Sequence, residues 1–230
     1  MKRSDLIEEI SSVIVLIERP DPIRVAIDGV DAAGKTTLAN ELADPVKTRG
    51  RAVIRASVDG FHNPRHIRYR EGADSPEGYF RDSFDYDTLK SILLDPLGPG
   101  GSLQYRSAAF DYRTDSSVTA PMLRALGDAV LLFDGIFLQR QELDHCWDLT
   151  IFVEASFETT LRRGRERAVT ECGSDDGVLT AHNRRYMPGQ RLYLNDCRPA
   201  ERADIIVDND DLSCPSIHHR SQNAGPRRIQ

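Results

Sequence analysis

Gly29, Gly34, Lys35 and Thr36 stand in the order G-x-x-x-x-G-K-[ST] inside VAIDGVDAAGKTTLAN, residues 25–40. These residue types at this spacing suit one task, holding a polyphosphate. Backbone N–H groups in a tight turn can converge on phosphate oxygens, and glycines at both ends permit angles and close approaches that a Cβ would obstruct. In such a loop Gly29, Val30, Asp31, Ala32, Ala33 and Gly34 offer backbone to the anion. Lys35 supplies a cation to the β- and γ-phosphates, and the hydroxyl of Thr36 is placed for Mg²⁺. Thr36 and Thr37 open a helix whose positive end faces the same anion. ATP and Mg²⁺ are therefore the expected cofactors.

Two further acids fall where ligands meet a parallel sheet, at the carboxyl ends of strands. Asp134 closes the apolar run Ala129 to Phe133. It could share Mg²⁺ with Thr36, or be an acid in the turn after a core strand. Asp59 follows Ala52 to Ser57. It could take a proton from an attacking hydroxyl, help that contributes roughly 10²–10⁴ in rate, or simply begin an Asp-Gly turn with Gly60. Farther on, Arg162, Arg163, Arg165 and Arg167 crowd one segment, with Arg163 and Arg167 four apart and so on one helical face. Four neighbouring cations suit either a solvated face or a lid over a transferring phosphoryl group. Around the acceptor, Asp85 suits a sugar hydroxyl, while Arg68 and Tyr112 suit a base or a phosphate. His62 and His66 can contact an acceptor or be polar loop residues.

The elements that must position these groups alternate. An amphipathic helix is expected over 1–19, with apolar residues at Leu6, Ile10, Val13 and Ile17. A strand, the phosphate loop and a helix follow, broken at Asp44-Pro45. Short apolar strands are expected at Ala52 to Ser57, Val130 to Asp134, Leu149 to Val153 and Asp204 to Val207. Helices are expected near Asp87 to Leu94, Ser156 to Val169 and His182 to Leu194. The polar stretch between residue 65 and about residue 86 reads as a long loop, which in a compact domain is usually functional. Strands alternating with helices imply an α/β, doubly wound, mostly parallel sheet covered on both faces. One domain over residues 1–210 is expected, with a substrate-side insertion at about 60–115 and an Arg-rich lid at about 156–195. Beyond Asp211 the chain is polar and lacks apolar periodicity, the mark of a disordered tail.

Composition narrows the partners. The 230 residues carry a net charge of −6, with 40% hydrophobic and 29% charged residues. That balance opposes a general nucleic-acid binder, which needs a basic surface. It admits a small anion in a local basic pocket. The apolar part of the N-terminus is interrupted by Glu8 and Glu9 and is too short to span a bilayer. Cys146, Cys172, Cys197 and Cys214 show no metal-ligand spacing and read as reduced thiols of a cytoplasmic protein. The expected partner is a small molecule, with a homo-oligomer left open.

Taken together, IDGVDAAGKTTLANELA, VDGFHNPR, SPEGYFRDSFDYDTL, LLFDGIFL and RYMPGQRLYLNDCRPAERADIIVDN resemble the uridine kinase-like family of P-loop kinases, which also includes phosphoribulokinase and bacterial-type pantothenate kinase. The resemblance covers most of residues 23–209. It implies a P-loop kinase fold and ATP-dependent transfer to a hydroxyl of a small metabolite, foremost the 5′-hydroxyl of a nucleoside. By residue, it implies that Asp59 is the catalytic base, that Asp85 binds ribose, and that Arg163 and Arg167 are the arginines of the lid, with Lys35 holding the phosphates from the loop. Four positions depart from uridine-cytidine kinases. Ala168 follows Arg167 where an aspartate is usual, and Gly164 stands where another arginine is common. Phe110 and Asp115 occupy the places of a tyrosine and a histidine that read the base. Pantothenate, a sugar phosphate or another ribosyl compound is the alternative acceptor. A nucleotide-binding module without turnover is a further alternative. A GTPase switch would carry [NT]-K-x-D, which the chain lacks.

Overall fold

The computed structural model describes residues 1–172 and 177–219. Helix α1 (Arg3–Val15) leads into β1 (Ile23–Gly29), the phosphate loop and α2 (Lys35–Thr48). Then come β2 (Val53–Ser57), a 3₁₀ turn at Val58–Phe61, and the short helices α3 (Arg65–Arg68), α4 (Pro76–Asp82) and α5 (Tyr86–Leu89). Two two-residue ribbons pair antiparallel, β3 (Gln104–Tyr105) with β6 (Leu123–Arg124) and β4 (Phe110–Asp111) with β5 (Ser116–Ser117). The chain re-enters the main sheet as β7 (Val130–Asp134) and β8 (Leu149–Glu154). It continues through α6 (Phe157–Cys172), α7 (Val178–Ala181), α8 (Met187–Cys197) and α9 (Pro199–Arg202), and ends in β9 (Ile205–Asp208) and β10 (Ser216–His219).

The main sheet runs β10-β9-β8-β1-β7-β2, parallel throughout except for β10. All seven residues of β1 are buried, because helices cover both faces of a parallel sheet. The two-residue period of the strand divides them. Val25 and Ile27 face Leu6, Ile10 and Ile14 of α1 and Leu38 and Leu42 of α2. Ala26, with Leu131 and Phe133 of β7, faces Phe61, Phe137 and Tyr193. In register, Ile27 of β1 and Ser57 of β2 both lie beside Asp134 of β7. Thus the loops after β1, β2 and β7 open side by side at the carboxyl end of the sheet.

Three elements differ from the sequence reading. Helix α2 does not break at Asp44-Pro45 but carries Pro45 inside it and continues to Thr48. Proline removes one i→i−4 bond. Buried Leu42, Ala43 and Val46 hold the last turn against the core. The long loop from residue 65 contains α3 and α4. Ser75 caps α4 by accepting from the Gly78 N–H at 3.0 Å, and Pro76 opens it. Residues 216–219 are not tail but strand, pairing antiparallel with β9. Residues 220–230 lie outside the described residues. Among the described residues no helix is long and apolar enough to cross a membrane.

Candidate active site

The phosphate loop is shaped by backbone that only certain residues tolerate. Gly29 has φ +151° and Gly34 φ +103°. A Cβ on Gly29 would strike the Val153 carbonyl oxygen of β8, so the loop lies as close to the sheet as a glycine allows. Ala32 also adopts a left-handed φ of 58°. Lys35 arches over the loop and donates from Nζ to the Val30 carbonyl oxygen at 2.7 Å. Thr36 and Thr37 sit exposed in the first turn of α2.

Asp134 and Thr36 are brought together across 98 residues of sequence: Thr36 Oγ1 donates to Asp134 Oδ2 at 2.5 Å. Arg55, from the adjacent strand β2, pairs with the other oxygen, Oδ1, at 2.7 Å. Its guanidinium also donates to the Leu132 carbonyl and to Asn40 Oδ1. Asp134 is thus almost fully buried yet held by a cation and a hydroxyl, which answers the penalty of burying a charge.

Asp59 begins the turn after β2, its N–H donating to Ser57 Oγ at 3.3 Å. The carboxyl is open to water but walled by protein. Desolvation raises its pKa above the ordinary 3.8. Asp31 and Asp134 push it up as well, while His62 and Lys35 pull it down. These four influences place Asp59 amid the phosphate loop and the Thr36–Asp134 pair. His62 bonds through Nδ1 to the Asp59 carbonyl oxygen at 3.0 Å. Its ring lies between Phe84 and Tyr112, at centroid distances of 4.6 and 4.8 Å. Desolvation lowers its pKa, so His62 is neutral near pH 7.

The remaining expected contacts are distributed unevenly. Asp85 is tied to the Asp59 turn by donating its N–H to the Phe61 carbonyl at 2.8 Å. Its carboxylate caps α5, accepting from Thr88 N–H at 2.9 Å and Thr88 Oγ1 at 2.7 Å. Arg68 is committed to Asp115, at 3.1 Å, an acid that also accepts from the Arg65 N–H. Arg163 reaches back to the phosphate loop, donating to the Ala33 carbonyl at 3.5 Å and to the carbonyls of Asn209 and Asp210 at 2.8 and 3.0 Å. Desolvation and the nearby Arg162 lower its pKa. Arg167 is exposed one turn farther along α6. Arg185 is a clamp, donating to the carbonyls of Arg68, Gly72, Ala73 and Ser75.

Several residues organise the site through bonds that no local motif announces. Asp31 Oδ2 accepts from Tyr79 of α4 at 2.6 Å and from Gln190 of α8 at 2.9 Å. Asn209 donates from Nδ2 to the Ala33 carbonyl at 2.6 Å and accepts from Arg3 of α1 at 2.9 Å. Asp28, fully buried beneath the loop, accepts from Tyr193, from Gln139 at 3.2 Å and from the Gly29 N–H at 2.8 Å. Burial raises its pKa despite these donors. An acid inside the apolar run IRVAIDG was the one available signal, since buried acids are rare unless paired.

A model of the phosphoribulokinase/uridine kinase family matches residues 24–212. Uridine-cytidine kinase B of Dictyostelium discoideum is 29% identical over 189 residues, spanning 81% of this chain and 74% of that protein. A uridine kinase of Halobacterium salinarum is 26% identical over 188 residues, spanning 80% and 78%. The solved structure of a "possible uridine kinase" from Bacillus stearothermophilus has a TM-score of 0.72 at 23% identity, covering 90% of this chain and 99% of that one. D-glycerate 3-kinase from Cryptococcus neoformans var. grubii has a TM-score of 0.57 at 13% identity, covering 81% and 88%. The structural likenesses speak for the fold alone. The family match takes in the phosphate loop, Asp59, Asp134 and α6: the chain belongs to the phosphoribulokinase/uridine kinase family and has the fold of a P-loop kinase.

Proposed function

We propose that this protein transfers the γ-phosphoryl group of ATP to a hydroxyl of a small acceptor, foremost the 5′-hydroxyl of a nucleoside such as uridine. The observation that carries this reading is the place of Asp59. A carboxylate whose ionisation responds to Lys35 and Asp134 stands beside the phosphate loop, where an acceptor hydroxyl would approach. The curated relatives named as uridine kinases support the choice of acceptor.

The residues present fit Mg²⁺. That ion usually takes one or two protein oxygens and completes its shell with phosphates and water. Thr36 Oγ1 and Asp134 Oδ2 supply such a pair. When bound, the ion neutralises charge on the β- and γ-phosphates. The loop amides orient the triphosphate, and Lys35 leaves the Val30 carbonyl to meet it. Asp59 accepts the proton as the acceptor oxygen bonds to phosphorus and the bond from phosphorus to the ADP oxygen breaks. Arg163, anchored where the loop meets β9, offers a guanidinium to the transferring group, with Arg167 one turn away.

The test is ADP release with ATP, Mg²⁺ and a panel of nucleosides, pantothenate, D-glycerate and sugar phosphates. Nucleoside-dependent turnover is expected. Turnover with none of the panel would overturn the kinase assignment, and turnover with an anionic acceptor alone would overturn the nucleoside assignment.

A further inference from the structure

Asp31 is an acid inside a loop built for anions, and its surroundings say why it is tolerated. Its partners are two neutral donors, the Tyr79 phenol and the Gln190 amide, and both bond to Oδ2. Among the described residues none bonds to Oδ1. Gln190 is 1% exposed and its own carbonyl oxygen has no partner, so this amide makes its bond to Asp31 at the expense of an unpaired acceptor. Burial and Asp31 together keep the Tyr79 phenol protonated, hence a donor. The carboxylate is thereby fixed in place without being neutralised.

Its charge falls on the acceptor side. Asp31 acts on Asp59, on His62 and on His182 and Tyr186 of the segment before α8. Arginines that could balance it for an anionic acceptor are engaged elsewhere. Arg68 pairs with Asp115, Arg70 with Asp82, Arg184 with Asp74, and Arg185 is spent on carbonyls. An acceptor entering here meets two carboxylates, Asp31 and Asp59, each able to receive a hydroxyl proton or hydrogen bond.

We infer that Asp31 determines acceptor specificity, its outer oxygen receiving a second hydroxyl of an uncharged polyhydroxylated acceptor while its charge turns anionic acceptors away. The inference rests on the reading of Asp59 as the acceptor-side base. It moves Asp31 from the nucleotide, where the loop motif alone would put it, to the junction between nucleotide and acceptor.

Calorimetric titration of the full chain, with Mg²⁺ and a non-hydrolysable ATP analogue present, tests it. Uridine, its 2′- and 3′-deoxy analogues, D-glycerate and pantothenate are compared on wild type and Asp31→Asn. The variant is expected to bind uridine about 10- to 100-fold more weakly, the range for one hydrogen bond to a charged group. One deoxy analogue should lose affinity on wild type and lose little further on the variant, and the ATP analogue should weaken by less than uridine. Tyr79→Phe, which leaves the carboxylate in place but frees it, should weaken uridine in the same direction by less. Equal uridine affinity in wild type and Asp31→Asn, weakening of the ATP analogue alone, or wild-type preference for an anionic acceptor would each overturn the inference. Wild type that binds uridine in this Asp31-dependent way yet releases no ADP with it would instead overturn the proposed function and leave the inference standing.

Discussion

At the scale of single residues, Asp59 is where stability and activity oppose each other. Its pKa is raised in the folded protein, so the native state holds that proton more tightly than the unfolded chain. The stability it contributes is present below the unfolded value near 3.8 and is lost as pH rises through the folded value. In its proposed role as base Asp59 acts ionised, so kcat/KM should climb with pH along a limb displaced upward from the ordinary aspartate value. Asp59→Asn should therefore lose about 10²-fold or more in kcat. It should keep ATP affinity and melt no lower than wild type at pH 7. Steady-state kinetics and a thermal melt check both halves; unchanged kcat would remove Asp59 from the base role.

At the scale of elements, Pro45 makes α2 longer than its sequence suggests. The Glu41 carbonyl loses its helical donor there, and buried neighbours hold the turn instead. Pro45→Ala should restore the bond and raise stability by about 1–3 kcal/mol in a denaturant titration, since proline is disfavoured by about 3 kcal/mol in a helix interior and regains part of that through the unfolded state. The same element shows what the sequence makes legible. Gly29 to Thr36 could be read because a phosphate loop is a local object, its function fixed by consecutive residues. Asp134 and Asp59 could be singled out because one ends a short strand and the other stands in the turn just after one. Arg55 could not, since its partner Asp134 lies 79 residues away and only the β2–β7 register joins them. Tyr79 and Gln190 could not either, since they meet Asp31 from α4 and α8, 48 and 159 residues away in sequence. The four-residue strand β10 was hidden because an edge strand with one exposed side needs no apolar run.

At the scale of the whole molecule, the order β10-β9-β8-β1-β7-β2 leaves β2 and β10 as edges and puts β1 among the inner strands. The phosphate loop thereby grows from the buried interior, while the segment after β2 is built of short helices and two-residue ribbons. The phosphate loop and the proposed acceptor side are thus supported unequally, one by the sheet and one by local caps such as Asp85 on Thr88.

Asn209 has a consequence for how the molecule breathes. Just past β9, the Asn209 side chain holds the Ala33 carbonyl and Arg3, while its backbone carbonyl receives Arg163. The phosphate loop and the first turn of α1 therefore share a single side-chain latch, and residues sharing a latch open as one cooperative unit. In native-state hydrogen exchange, Asn209→Ala should speed exchange in both places by a common factor, while the root of α6, whose bond to the backbone survives, and the amides of β7 keep their rates. Acceleration confined to residues 207–211 would show two independent fluctuations instead. If the latch holds, the N-terminal helix and the phosphate loop move on a common clock, and that clock is set just past the end of a strand.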